Sequence, residues 1–129
     1  VLDERLPGIT EAAKTFANVD INKEDNNGFT PLMVCLMSDN NNILKLLLDN
    51  GAEINQQDSD NWTSLMIACR FTKPTSTIKL LLDYGADVEL INNEGKTVFD
   101  FAVEWSSKEI IDLLNKEVDF DSDDITIFI

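Results

Sequence analysis

From Thr30 to Asn50 the apolar positions fall into two blocks separated by a polar run. The first block, "TPLMVCLM", predicts a short helix through about Met37, with Thr30 placed to cap it and Pro31 at the first helical position, where a missing N–H costs nothing. "SDNNN", Ser38 to Asn42, reads as a turn. "ILKLLLDN" then predicts a second helix whose polar edge is confined to the neighbourhood of Lys45 and Asp49, so this helix must be covered on more than one side. Gly51 follows at the position where a helix ends in left-handed backbone. The same plan returns after Thr63, with a helix near Ser64 to Phe71, a one-residue insertion around Pro74, a helix from about Thr75 to Tyr84, and Gly85 as the stop. It returns again after Thr97, with a helix near Val98 to Trp105 and a last helix ending near Glu117. "SSKE", Ser106 to Glu109, has the form of a capping box for that last helix. There Lys108, Asp112, Asn115 and Lys116 form a polar stripe opposite Ile110, Ile111, Leu113 and Leu114.

These echoes are close to literal. "LLLDNGAEIN" from Leu46 is matched by "LLLDYGADVE" from Leu80, and Thr30, Thr63 and Thr97 lie 33 and then 34 residues apart. Self-similarity at this period signals a stacked array, because one short helix pair exposes more apolar surface than it can hide. Upstream, Ile9, Ala12, Ala13 and Phe16 follow helical spacing, and "VDIN" from Val19 matches "AEIN" from Ala52, with Asn18 where the other units have glycine. This stretch is predicted to be a half repeat covering the first full unit from outside. The predicted units are 1–24 (terminal segment and half repeat), 25–57, 58–91, 92–117 (a cap) and 118–129 (a tail).

Two helices per 33 or 34 residues, with "DNNGFTPL", "DSDNWTSL" and "NNEGKTVF" between pairs and "LLLDNGAE" and "LLLDYGAD" at helix ends, resemble the ankyrin repeat over roughly Ile9 to Glu117. The resemblance implies an all-α solenoid of helix-turn-helix pairs with long β-turn tips, in which tips and first helices line a concave face. It also implies protein binding without catalysis, and a module that is monomeric on its own. The histidine that follows Thr-Pro-Leu in the family is replaced by Met33, Met66 and Asp100, which predicts looser tips. The concave positions carried over are Asn26, Asn27, Phe29, Met37 and Ser38 in the first unit, and Ser59, Asp60, Trp62, Arg70 and Phe71 in the second. In the third they are Asn93, Glu94, Lys96, Glu104 and Trp105. Phe29 and Trp62 are read as anchors of a protein-binding groove, while Asp60, Glu94 and Glu104 favour a basic segment of the ligand. For Trp105 and Phe71 the competing role is internal packing, under the tail and under the Pro74 insertion respectively. Asn22 and Asn55 occupy the tip position at which members of the family can be hydroxylated.

Composition narrows the functional classes. A formal charge of −14 disfavours nucleic acid and anionic membranes as partners. Histidine is absent, which removes the commonest general base and the usual zinc ligand, and the five glycines are too scattered for a phosphate loop. Neither catalytic residues, cofactor nor metal is therefore expected; the acids Asp58, Asp60, Glu94 and Asp100 would be the only enzymatic candidates. Cys35 and Cys69 sit in apolar stretches and read as buried thiols, which favours a reducing, cytoplasmic location, with the nucleus also compatible.

The tail is a separate object, with five acids and no base from Glu117 to Ile129. Asp119, Asp121 and Asp123 have the alternate spacing of a calcium loop but lack its glycine and closing glutamate. Ile125 to Ile129 reads as an unpartnered strand, suited to adding to a ubiquitin-like modifier or a PDZ groove, or else to folding back on the domain. The leading reading is a protein-binding adaptor. The alternative is a structural or targeting segment of a larger protein, its tail a short linear motif; the missing initial methionine favours it, and the half repeat and polar last helix oppose it.

Overall fold

The structure, a computed structural model, describes residues 20–38 and 40–118. Among the described residues there are six helices and no strands. The first pair is α1 (Pro31–Leu36) and α2 (Asn41–Asp49), and the second is α3 (Ser64–Arg70) and α4 (Thr75–Asp83). The third is α5 (Val98–Trp105) and α6 (Lys108–Lys116). The predicted half-repeat helix, the Asn18 stop and the tail beyond Val118 lie outside the described residues.

Helix starts follow the threonines. The hydroxyls of Thr30 and Thr63 accept the N–H of Met33 at 3.3 Å and of Met66 at 3.2 Å. At the third start the Asp100 carboxylate reaches back to accept the Thr97 N–H at 2.9 Å. Two local expectations are corrected. The turn after α1 is shorter than five residues, because Asn40 caps α2 by accepting from the N–H of Asn42 and Ile43, which draws Asn41 and Asn42 into the helix. The box expected from Ser106 does not form, and a simple cap one residue later takes its place. Ser107 is the cap, accepting from the Ile110 N–H at 3.4 Å, while Ser106 donates its hydroxyl to the Cys69 carbonyl at 3.0 Å and so ties the third unit to the second.

α3 packs between α1 and α5, and α4 packs against α6. One continuous core results, running from Leu32, Met33, Leu44 and Leu47 through Leu65, Met66, Ile78 and Leu81 to Val98, Phe101 and Leu114. On the second-helix side, Thr77 donates to the Asn41 side chain at 2.9 Å and the Tyr84 hydroxyl donates to Asp49. Repeat register explains which apolar residues stay exposed. Ile67 and Phe101 are 3% exposed, each facing the unit before its own, while their counterpart Val34 in the first full unit is 53% exposed.

The tips are built on one turn used three times. Oδ1 of Asp25 accepts from the N–H of Asn27 and Phe29, Oδ1 of Asp58 from Asp60 and Trp62, and Oδ1 of Asn92 from Glu94 and Lys96, all between 2.8 and 3.1 Å. Where the missing histidines predict looser tips, backbone bonds join each tip to its neighbour. The Ser59 N–H donates to the Asn27 carbonyl at 3.2 Å, and the Asn93 N–H to the Asp60 carbonyl at 3.0 Å. Asn22 accepts the Glu53 N–H at 2.7 Å, and Asn55 accepts the Asp87 N–H at 2.7 Å, so each clasps the following unit. Met33 and Met66 instead fill the core, at 1% and 0% exposure.

Close approach of the tips constrains Gly28. Its φ is +82°, and a Cβ there would lie 2.5 Å from the Ser59 nitrogen, inside the link between tips. Gly95 also has a positive φ, +75°, but open space around it. Gly95→Ala is expected to cost about 1 kcal/mol through backbone strain alone. Gly28→Ala must in addition push the second tip away, and thermal unfolding of the two variants should show the larger drop in midpoint for Gly28→Ala.

Candidate partner-binding face

Where the first two units meet, tip and first-helix residues enclose a pocket of about 270 Å³ lined by Phe29, Met37, Asp58, Asp60, Trp62, Ile67 and Phe71. The tip turn sets Trp62, because Asp58 holds its N–H, and the ring then stacks on Phe101 of the third unit with centroids 4.5 Å apart. Met37 and Phe71 are the residues that cap the C-terminal ends of α1 and α3. After Phe71 the extra residue of this unit is absorbed by Thr72, whose φ of 53° is left-handed despite a branched side chain. The Lys73 N–H closes back on the Ala68 carbonyl at 2.9 Å, which completes a helix-terminating Schellman arrangement and leaves Phe71 at the surface.

A second cluster lies at the next junction. The Arg70 guanidinium sits 4.0 Å from the centre of the Trp105 ring and 5.1 Å from that of Phe71, a cation–π contact with both. Lys96 lies 5.9 Å from the Phe101 ring centre. Phe71 and Trp105 remain 49% and 43% exposed.

Five of the candidate residues, Phe29, Met37, Asp60, Trp62 and Phe71, therefore share the pocket, and Arg70 and Trp105 stand beside it. Asn26, Asn27, Ser38, Ser59, Asn93, Glu94 and Glu104 are exposed without lining it, and the carbonyls of Asn27 and Asp60 are occupied by the links between tips. Phe71 is not covered by the Pro74 insertion, whereas any packing of Trp105 under the tail concerns residues outside the described ones. The sequence reading left out two contributors. Ile67 forms part of the wall, and its signal was repeat register, which turns it toward the preceding unit. Asp58 enters the sequence reading only among the enzymatic candidates and not as a partner-binding residue; its signal is its match to Asp25 at the head of the preceding tip.

Residues 7–58 and 55–124 match the family described as ankyrin repeats in three copies, which is most of the chain. The chain belongs to the ankyrin-repeat family. Ankyrin repeats are protein-binding modules and typically non-catalytic, and their tips and first helices are the elements that build the pocket here. Among the described residues, no group of three or more acids or cysteines is placed to hold a metal ion, and no helix is long and apolar enough to cross a membrane.

The two thiols of this ankyrin array are free and buried. Burial pushes the Cys69 thiol up to about 12. Cys35 is raised by burial too, with Ser38 acting in the opposite sense, and it is 7% rather than 0% exposed. A raised thiol value means little thiolate at pH 8, so iodoacetamide should label neither cysteine quickly in the native protein. Peptide mapping over time should find Cys35 alkylated first, with Cys69 modified only under conditions that unfold the stack.

Proposed function

We infer that this chain is a non-catalytic binding module that holds a partner protein across the concave face formed by its tips and first helices. The observation that carries the reading is the row of exposed apolar side chains, Met37, Phe71 and Trp105, at the C-terminal ends of α1, α3 and α5. Solubility alone would put polar residues there, and a contiguous apolar row on a polar surface marks an interaction site. Arg70 lies against two of these rings, and aromatic residues with arginine are the types that dominate binding energy at interfaces. The exposed acids Asp60, Glu94 and Glu104, on a chain of net charge −14, favour a basic partner segment through steering and complementarity.

The face can be tested against the back of the same stack. Cross-linking and pull-down with the intact chain would identify captured proteins. Phe71→Ser with Trp105→Ala should then weaken capture at least tenfold without lowering the unfolding midpoint by more than a few degrees. Lys45→Ala with Lys79→Ala, on α2 and α4, should leave capture intact; the opposite pattern would place the partner on the convex side.

A further inference from the structure

The pocket between the first two units has two chemistries in one space. Phe29, Met37, Trp62, Ile67 and Phe71 give it apolar walls, and two acids line it as well: Asp60, and Asp58, whose Oδ1 accepts the Asp60 and Trp62 N–H groups and whose second oxygen takes no part in that turn. At about 270 Å³ it falls just below the roughly 300–1,000 Å³ of small-molecule sites, so it has the size for one side chain of a larger ligand. A purely aliphatic or aromatic occupant would displace water from beside these acids and offer their charge no partner, which is costly. A long cationic side chain solves both problems, because its methylene stem covers apolar surface while its head stays with the acids. Aromatic walls add attraction for the same charge. Arg70, whose charge opposes such a guest, stands at the pocket edge with its guanidinium nearer the Trp105 ring, at 4.0 Å, than the Phe71 wall, at 5.1 Å.

We propose that this pocket is a receptor for one lysine or arginine side chain of a basic partner segment, with Asp58 and Asp60 reading the charge and Phe29, Trp62 and Phe71 holding the stem. The proposal rests on the concave-face reading and adds to it the identity of the anchoring residue. The other units supply substitutions that keep the fold. Asn92 makes with its Oδ1 the same turn that Asp58 makes, and Asn27 occupies in the first tip the position of Asp60. Asp58→Asn with Asp60→Asn therefore removes two charges while retaining the turn. Phe71→Ser likewise copies Ser38, its counterpart in the first unit.

The test uses an array of twelve-residue peptides, each with one residue type fixed at the centre and the others randomised, probed with the labelled 129-residue chain. Rows fixed as lysine or arginine should bind at least fivefold above rows fixed as leucine, phenylalanine or norleucine. This preference should fall to twofold or less in the Asp58→Asn/Asp60→Asn variant and in Phe71→Ser, with circular dichroism unchanged. A second variant, Asp83→Asn with Glu109→Gln, removes the same charge from α4 and α6 and should keep the full preference. The proposal is overturned if apolar rows lead, if no row is enriched, if the pocket variants keep the preference, or if the α4/α6 control loses it as well. Any of these results, together with loss of capture on Phe71→Ser/Trp105→Ala, would remove the cation pocket and leave the concave-face reading standing.

Discussion

Short helices cannot hide their own apolar residues, and everything else in this molecule follows from that deficit. α1 and α3 have six and seven residues, below the length at which helices persist alone in water, so burial against neighbours must hold them. α3 illustrates the solution: Leu65, Met66, Ile67, Ala68 and Cys69 are all buried, on a helix covered by α1 on one side and α5 on the other. Burial of a leucine-sized side chain contributes roughly 1.5–3 kcal/mol, which offsets the cost of ordering such a short segment only when it is repeated along the stack. The links between tips extend the same logic to the polar backbone, since the Ser59 and Asn93 N–H groups find their partners in the adjacent unit rather than in their own.

The proposed binding face is made partly from what stacking leaves over and partly from what stacking uses. Trp62 is divided between the two, one part of its ring against Phe101 and another on the pocket. Phe71 and Trp105 are freer, because one follows and the other ends its helix, and both remain exposed there. This division explains why truncating Trp62 would confound loss of binding with loss of packing, and why helix-end residues are the cleaner probes.

Much of the fold was legible because it is written three times. The threonine caps, the glycine stops and the leucines of α2 and α4 sit at positions that repeat, so the helix pairs and their junctions could be placed to within one or two residues. What was missed depended on single atoms rather than on pattern. Asn40 rather than Ile43 opens α2 because its side chain can accept two N–H groups, and Ser107 rather than Ser106 caps α6 because the latter is engaged with Cys69. At the face, the candidate positions were legible as a group, but their sorting was not. Whether Phe71 or Trp62 is the more exposed ring depends on the left-handed Thr72 and on the distance to Phe101, neither of which a single sequence displays.

The side-by-side order of α1, α3 and α5 has a metrical consequence for any ligand laid across them. Packed helices sit about 8–10 Å apart, whereas an extended chain advances about 3.3 Å per residue. A strand crossing the face would thus meet a new junction roughly every third residue, and the pitch of the stack, fixed by Asn22 and Asn55 clasping the next unit, acts as a ruler on the ligand's own sequence. Side chains out of step with that spacing would project over helix backs instead of between units, so a partner bound in this way would be selected for periodicity as well as for chemistry.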